Sequence, residues 1–194
     1  MSQIYIQKPY DENVAFIGMG GRGKTNAIAY FLYQMALRKV RWILFDGSCN
    51  HRWPAPEGCQ IIHPPKYKGL ETFLTVCRKV TEIGNLILAI EEIEEFETPQ
   101  QMPPELEEII NRGRARYHIA YWWTSRRPAE VHGSIIGNSD HHMIFQTFHP
   151  RDIEYYKKYV GDLIENAKNL PPYHFLYYHV GSQPVVMRPV KKVV

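Results

Sequence analysis

Residues 15–25, AFIGMGGRGKT, decide the fold. Gly18, Gly23, Lys24 and Thr25 fit the spacing G-x-x-x-x-G-K-[ST], and the flanks are as informative as the motif. On one side NVAFI (13–17) is a short apolar run suited to a strand buried on both faces; on the other, NAIAYFLYQMALRKV (26–40) repeats Ile28, Phe31, Leu32, Met35 and Leu37 at roughly helical spacing. Strand, glycine loop and helix thus come in the order an anion cradle requires. Glycines let backbone N–H groups wrap a phosphate, and the N-terminal end of the helix adds partial positive charge. Gly18, Gly20, Gly21, Arg22, Gly23, Lys24, Thr25 and Asn26 are the expected nucleotide-binding residues. Lys24 would reach the β/γ-phosphates and the Thr25 hydroxyl would ligate Mg²⁺. A glycine-rich hairpin with a chance lysine is the competing reading, and the flanking pattern speaks against it.

Hydrolysis needs an acidic group at the end of a second central strand. NLILAIEE (85–92) supplies it: Leu86 to Ile90 form an apolar strand, and two carboxylates stand where it emerges. By position Glu91 would hold Mg²⁺ through a water and Glu92 would be the general base that polarises the attacking water. The alternative is that both belong to the solvated acidic run that follows.

The rest of the chain alternates in the same way. RWILFD (41–46), CQIIH (59–63), HIAYWWTS (118–125) and HHMIFQT (141–147) read as strands. LETFLTVCRKVTEI (70–83), PPELEEIINRGRARY (103–117) and PRDIEYYKKYV (150–160) read as helices. HFLYYHV and PVVMRPV read as a C-terminal β-hairpin across Gly181-Ser182-Gln183. Strands separated by helical crossovers predict an α/β fold, a doubly wound, mostly parallel sheet flanked by helices.

Composition sets the bounds. A chain of 194 residues with 44% hydrophobic content supports one core, so residues 1–194 are expected to form a single domain. A formal net charge of +3 is compatible with a polyanionic partner but too small to identify one. Cys49, Cys59 and Cys77 are odd in number and contain no C-x-x-C pair, which points to a reducing compartment. MSQIYIQKPY has no apolar signal-like core, and no apolar run approaches the ~18 residues of a membrane span, so a soluble intracellular protein is expected.

The order of these motifs resembles the HerA/FtsK superfamily of P-loop ATPases, motors that push or pull double-stranded DNA. GMGGRGKT, LILAIEE, RGRARYHIAYWWTSRRP and GSIIGNSDHHMIFQT carry the resemblance, over roughly residues 13–160. The compact form is most similar to the genome-packaging ATPases of membrane-containing icosahedral viruses, those of the turreted icosahedral viruses of Sulfolobus in particular. The resemblance implies a RecA/ASCE-like core hydrolysing ATP with Mg²⁺ to translocate double-stranded DNA into a preformed capsid. It also implies a homo-oligomeric ring, pentamer or hexamer, in the cytoplasm of the host cell, meeting capsid vertex or internal-membrane proteins. Arg127-Pro128 match the family's Arg-Pro. The preceding position, often a glutamine that senses the γ-phosphate, is Arg126, so Arg126 or Ser125 would sense it. Glu91 stands where an aspartate is more usual.

Residues 91–108 contain eight glutamates and no basic residue, whereas residues 109–129 contain five arginines and no acidic one. That reversal suggests complementary surfaces between ring subunits, and the resemblance, whose arginine position Arg114 matches best, implies Arg114 as the trans arginine finger, with Arg112 and Arg116 as alternatives; an ordinary solvated helix face is the plainer reading. Lys66, Lys68, Arg52, Lys157, Lys158 and the tail RPVKKVV are candidate phosphate contacts, with the loops after residue 46 and around residue 66 foremost. The spacing of Cys49, His51, Cys59 and His63 does not follow a zinc-finger pattern, and Tyr121-Trp122-Trp123 reads as core before it reads as a stacking platform. A HerA-like helicase or conjugation pump, a small P-loop kinase and a nucleotide-dependent DNA-binding module remain as alternatives. No N-K-x-D base-reading motif appears, which disfavours a GTPase.

Overall fold

The computed structural model describes residue 4 and residues 6–193. Five strands follow one another in parallel: β1 (Val14–Ile17), β2 (Trp42–Phe45), β3 (Gln60–Ile62), β4 (Leu86–Ile90) and β5 (Ile119–Ser125). They are joined by β6 (His141–Phe145), also parallel, and by β7 (Phe175–His179) and β8 (Val185–Met187), which close the sheet as an antiparallel hairpin. The order across the sheet is β3-β2-β4-β5-β1-β6-β7-β8. The doubly wound, mostly parallel fold and its C-terminal hairpin are those expected from the sequence.

Every residue of β1, β4, β5 and β6 is buried, as strands covered on both faces must be. Their side chains alternate between two cores. Ala15, Ile17, Leu86, Leu88 and Ile90 face α2 (Gly69–Ile83), α3 (Pro104–Arg112) and α5 (Pro150–Val160). Val14, Phe16, Ile87 and Ala89 face α1 (Lys24–Leu37), which buries Ala27, Ile28, Phe31, Leu32 and Met35. Tyr121, Trp122 and Trp123 are core, and their polar handles bond Ile135 O, Glu12 O and Ser139 Oγ.

Two stretches depart from the expected elements. The helix expected over 103–117 is α3 followed by a π-type segment, Gly113–Tyr117. Here the chain must turn back into β5, and a Cβ on Gly113 would lie 3.0 Å from Ile119 O. After α5 the chain continues as a nine-residue 3₁₀ segment, Gly161–Asn169. Ile164 and Ala167 are both buried there because a three-residue repeat places them on one side.

The entrance to β1 is held by a polar clasp. Buried Asn13 accepts from the Tyr121 N–H (3.0 Å) through Oδ1 and donates through Nδ2 to Asn138 O (2.9 Å), while its own N–H donates to Asp140 Oδ2 (2.7 Å). Asn13→Ala orphans the buried Tyr121 N–H and takes one of two donors from Asn138 O, at a cost of about 2–3 kcal/mol. That should lower Tm by roughly 4–12 °C for a chain of this length in a thermal melt; an unchanged Tm would contradict the clasp.

Candidate active site

In a parallel sheet, the loops that follow successive strands gather at one edge, and here they bring the glycine loop, two pairs of polar residues and a histidine together. The loop leaves β1 between its neighbours, Gly18 N–H donating to Ser125 O (3.2 Å) and Met19 N–H to Gln146 O (3.1 Å). Gly18 has φ +139°, and a Cβ there would lie 2.8 Å from Phe145 Cβ, so no larger residue fits. Gly23 caps α1 with φ +105° and no side-chain cap, leaving the first helical N–H groups facing the loop.

Lys24 is buried, and its ammonium donates to Gly18 O (2.7 Å) and Met19 O (3.0 Å). Burial lowers its pKa, opposed by the charges of Glu91 first and Glu92 second, which places both carboxylates on the lysine's side of the edge. The Asn26 side chain is turned to the tail, accepting from Val193 N–H and donating to Lys191 O, both at 3.3 Å. The Tyr173 ring, 57% exposed, stands 3.4 Å from where a Cβ on Gly23 would be. Nothing in the sequence draws attention to Tyr173, because 150 residues separate it from the loop it covers.

The two glutamates differ. Glu91 is fully buried: Oε2 accepts from the Thr124 hydroxyl (2.7 Å) and Oε1 lies 2.7 Å from His51 Nε2. Glu92 is partly exposed, has left-handed backbone (φ +52°), donates its N–H to Thr124 Oγ1 (2.9 Å) and pairs through Oε2 with the Arg126 guanidinium. A non-glycine residue in that conformation is a strained position, the kind that concentrates at working sites. Arg126 also passes 4.0 Å from the Cβ position of Gly20, so the expected base, the expected sensor and the loop meet. Ser125 is buried at the end of β5 and accepts from Arg127 N–H (3.0 Å).

Three expectations change. Arg114 does not project outward: its guanidinium donates to both Asp140 oxygens (3.0 and 2.9 Å) and to the carbonyls of Asp11 (3.1 Å) and Asn138 (3.0 Å). Four contacts within its own chain tie it to the start of β6, the sheet edge opposite the glycine loop. Arg112 and Arg116 are the exposed pair, each ion-paired with Glu108. The charge reversal between 91–108 and 109–129 is answered largely within the chain. Arg126 meets Glu92 and Glu95, and Arg112 and Arg116 meet Glu108. Nor is the acidic run a solvated face, since Glu91 and Glu97 are buried outright and burial raises the Glu94 pKa. Glu97 accepts from His132 N–H (3.0 Å), its second oxygen has no partner, and burial pushes its pKa up to about 8.

The four side chains of the Cys/His constellation go separate ways. His51 reaches Glu91, His63 reaches Asp46, Cys59 lies against Val40 O, and Cys49 is exposed. No group of three or more His, Cys, Asp or Glu side chains among the described residues is arranged to hold a metal. Hard oxygen donors suited to Mg²⁺ come from Thr25 and Glu91. No helix of the described residues is long and apolar enough to cross a membrane.

No family model matches the chain. It is 26% identical to DNA packaging ATPase P9 of Enterobacteria phage PRD1, over 95% of this chain and 90% of that protein. Among solved structures it is similar to the genome packaging NTPase B204 from Sulfolobus turreted icosahedral virus 2 in complex with ATP-γ-S. That likeness has a TM-score of 0.79 and 19% identity over 94% of this chain and 99% of the other. It is also similar to the conjugation coupling protein TcpA of pCW3, with a TM-score of 0.65 and 17% identity over 94% of this chain and 61% of the other. The two structural likenesses establish the P-loop NTPase fold read from the sequence.

Glu97 gives a pH signature to the acidic segment. Its folded pKa lies above the ordinary 4.5, so the folded chain keeps a proton that the unfolded chain releases. The stability it contributes is full at low pH and is lost as pH rises toward about 8. Melting curves should show the wild type losing more Tm than Glu97→Gln between about pH 5 and about pH 8.5; parallel losses would contradict the buried neutral carboxyl.

Proposed function

We propose that this chain is an Mg²⁺-dependent ATPase that couples hydrolysis to the movement of double-stranded DNA, packaging a viral genome into a preformed capsid. The observation that carries the reading is the meeting of Lys24, Glu92 and Arg126 at the glycine loop on one sheet edge. Similarity to a phage DNA packaging ATPase over nearly the whole of both chains supports the choice of duplex DNA as the load.

In this reading the amides of residues 20–25 hold the β- and γ-phosphates, and Lys24 turns from the Gly18 and Met19 carbonyls to a phosphate oxygen. Thr25 and, through water, Glu91 would hold Mg²⁺, which when bound draws the phosphate oxygens together and offsets their charge. Glu92 accepts the proton of the attacking water. Arg126, above Gly20, hydrogen-bonds the γ-phosphate and stabilises the charge that builds there, with Ser125 supporting the turn that carries it. The nucleoside end leaves on the side away from β4, toward Tyr173, whose exposed ring is available to the base.

Residues 1–194 act as one unit and assemble as a homo-oligomeric ring, pentamer or hexamer, in the host cytoplasm at the capsid vertex. Arg112 and Arg116, exposed and paired with Glu108 at the surface, are the arginines placed to serve a neighbouring subunit, whereas Arg114 would first have to give up its half-buried ion pair with Asp140. A motor that accepts any sequence grips phosphates, so its DNA affinity falls with salt.

The test is steady-state phosphate release from ATP and Mg²⁺, with and without linear duplex DNA, for wild type and Glu92→Gln. The reading expects stimulation by DNA and a loss of at least about 10²-fold in the variant while ATP binding survives. Hydrolysis indifferent to both DNA and Glu92 would contradict it.

A further inference from the structure

The loop after β2 places one buried histidine against the carboxylate expected beside the metal, and that contact has a definite polarity. His51 and Glu91 have side chains 2% and 1% exposed, with Nε2 and Oε1 2.7 Å apart. The Trp53 indole N–H, which can only donate, points at His51 Nδ1 at 3.3 Å. Nδ1 is therefore the accepting nitrogen, and the imidazole proton lies on Nε2, aimed at Glu91. The backbone holds the ring in place: His51 N–H donates to buried Asp46 Oδ2 (2.7 Å), and Trp53 packs on Trp42 with ring centroids 5.4 Å apart.

On the far side, the Thr124 hydroxyl donates to Glu91 Oε2 and accepts the Glu92 N–H. Both oxygens of Glu91 are thus gripped, one by His51 and one by Thr124, and Thr124 ties the same carboxylate to the backbone of Glu92. A buried carboxylate accepting two hydrogen bonds has one orientation, and its charge is felt by Lys24.

We infer that His51 is a positioning residue for the reaction: through Nε2–H it fixes Glu91 in the orientation in which Glu91 serves hydrated Mg²⁺ beside bound ATP. The loop 46–59 then belongs to the nucleotide site through its buried half, whatever its exposed half, including Arg52, does. The inference rests on the reading that ATP and Mg²⁺ bind at residues 18–25 with Glu91 beside the metal. A His51 that merely lined the core would leave metal-dependent binding unchanged once its variants were folded.

The test is calorimetric ATP affinity with and without Mg²⁺ for wild type, His51→Phe, His51→Gln and Glu91→Gln. His51→Phe keeps the ring volume without the donor, whereas the Gln amide can still donate to Glu91. The expected result is a loss of about 10-fold or more in the Mg²⁺-dependent gain in affinity for His51→Phe and Glu91→Gln, recovery of most of it in His51→Gln, and unchanged metal-free affinity in the His51 variants. If His51→Phe does not fold, His51→Asn, too short to span the gap, carries the same expectation. A normal Mg²⁺-dependent gain in the folded His51 variant, with Glu91→Gln defective, overturns the role of His51 and leaves the nucleotide reading standing. A normal gain in Glu91→Gln overturns the Glu91 assignment and the inference with it, and absence of ATP binding in the wild type removes the reading beneath both.

Discussion

The site depends on β1 being clamped between two parallel strands. Val14 to Ile17 are wholly buried, paired to Trp122–Ser125 on one side and to His141–Ile144 on the other. The clamp continues past the strand, through Gly18 N–H to Ser125 O and Met19 N–H to Gln146 O. Because Phe145 leaves no room for a Cβ at Gly18, the chain must turn there and can turn only as a glycine. Everything the loop offers an anion follows from that turn: the Gly18 and Met19 amides are spent on Ser125 and Gln146, Gly23 releases the first turn of α1, and Lys24 is drawn into the wall of the cradle.

The same strand order explains why the two glutamates have different environments. β5 lies between β1 and β4, so Thr124 and Ser125 separate the glycine loop from Glu91 and Glu92 by one strand. The gap is filled by hydrogen bonds from Thr124 to both glutamates and by Arg126 reaching back to Glu92. Burial is costly for charge, and this edge holds Lys24, Glu91 and Asp46 all nearly inaccessible. Such groups need partners, which His51, Thr124 and the loop carbonyls supply. Glu97, a little further along, has too few donors and is neutralised instead.

What could be read from the chain was local. The glycine loop, the apolar run ending in Glu91-Glu92 and the alternation of strand and helix each sit within a dozen residues, where spacing alone carries the signal. The contacts that complete the site are not local. His51 is 40 residues from Glu91, and Arg126 is 34 residues from Glu92. In the sequence His51 stands out only as part of an ill-spaced Cys/His group, and its partner becomes visible only once β2 is laid beside β4. The arginines have partners within the chain at both short and long range. A block of acids followed by a block of arginines looks like two faces awaiting each other across a subunit boundary. The turn between α3 and β5 instead folds Arg112 and Arg116 onto Glu108, and Arg114 onto Asp140.

The central claim, that one sheet edge unites the phosphate cradle with Glu91, Glu92 and Arg126 as a single nucleotide site, is tested most directly by a crystal structure with Mg²⁺ and a non-hydrolysable ATP analogue. The account predicts the β- and γ-phosphates within the amides of residues 20–25, Lys24 Nζ and Arg126 at hydrogen-bonding distance from the γ-phosphate, and Glu91 still held by His51 and Thr124. A nucleotide bound elsewhere, or bound in the loop with its γ-phosphate pointing away from β4, would contradict it.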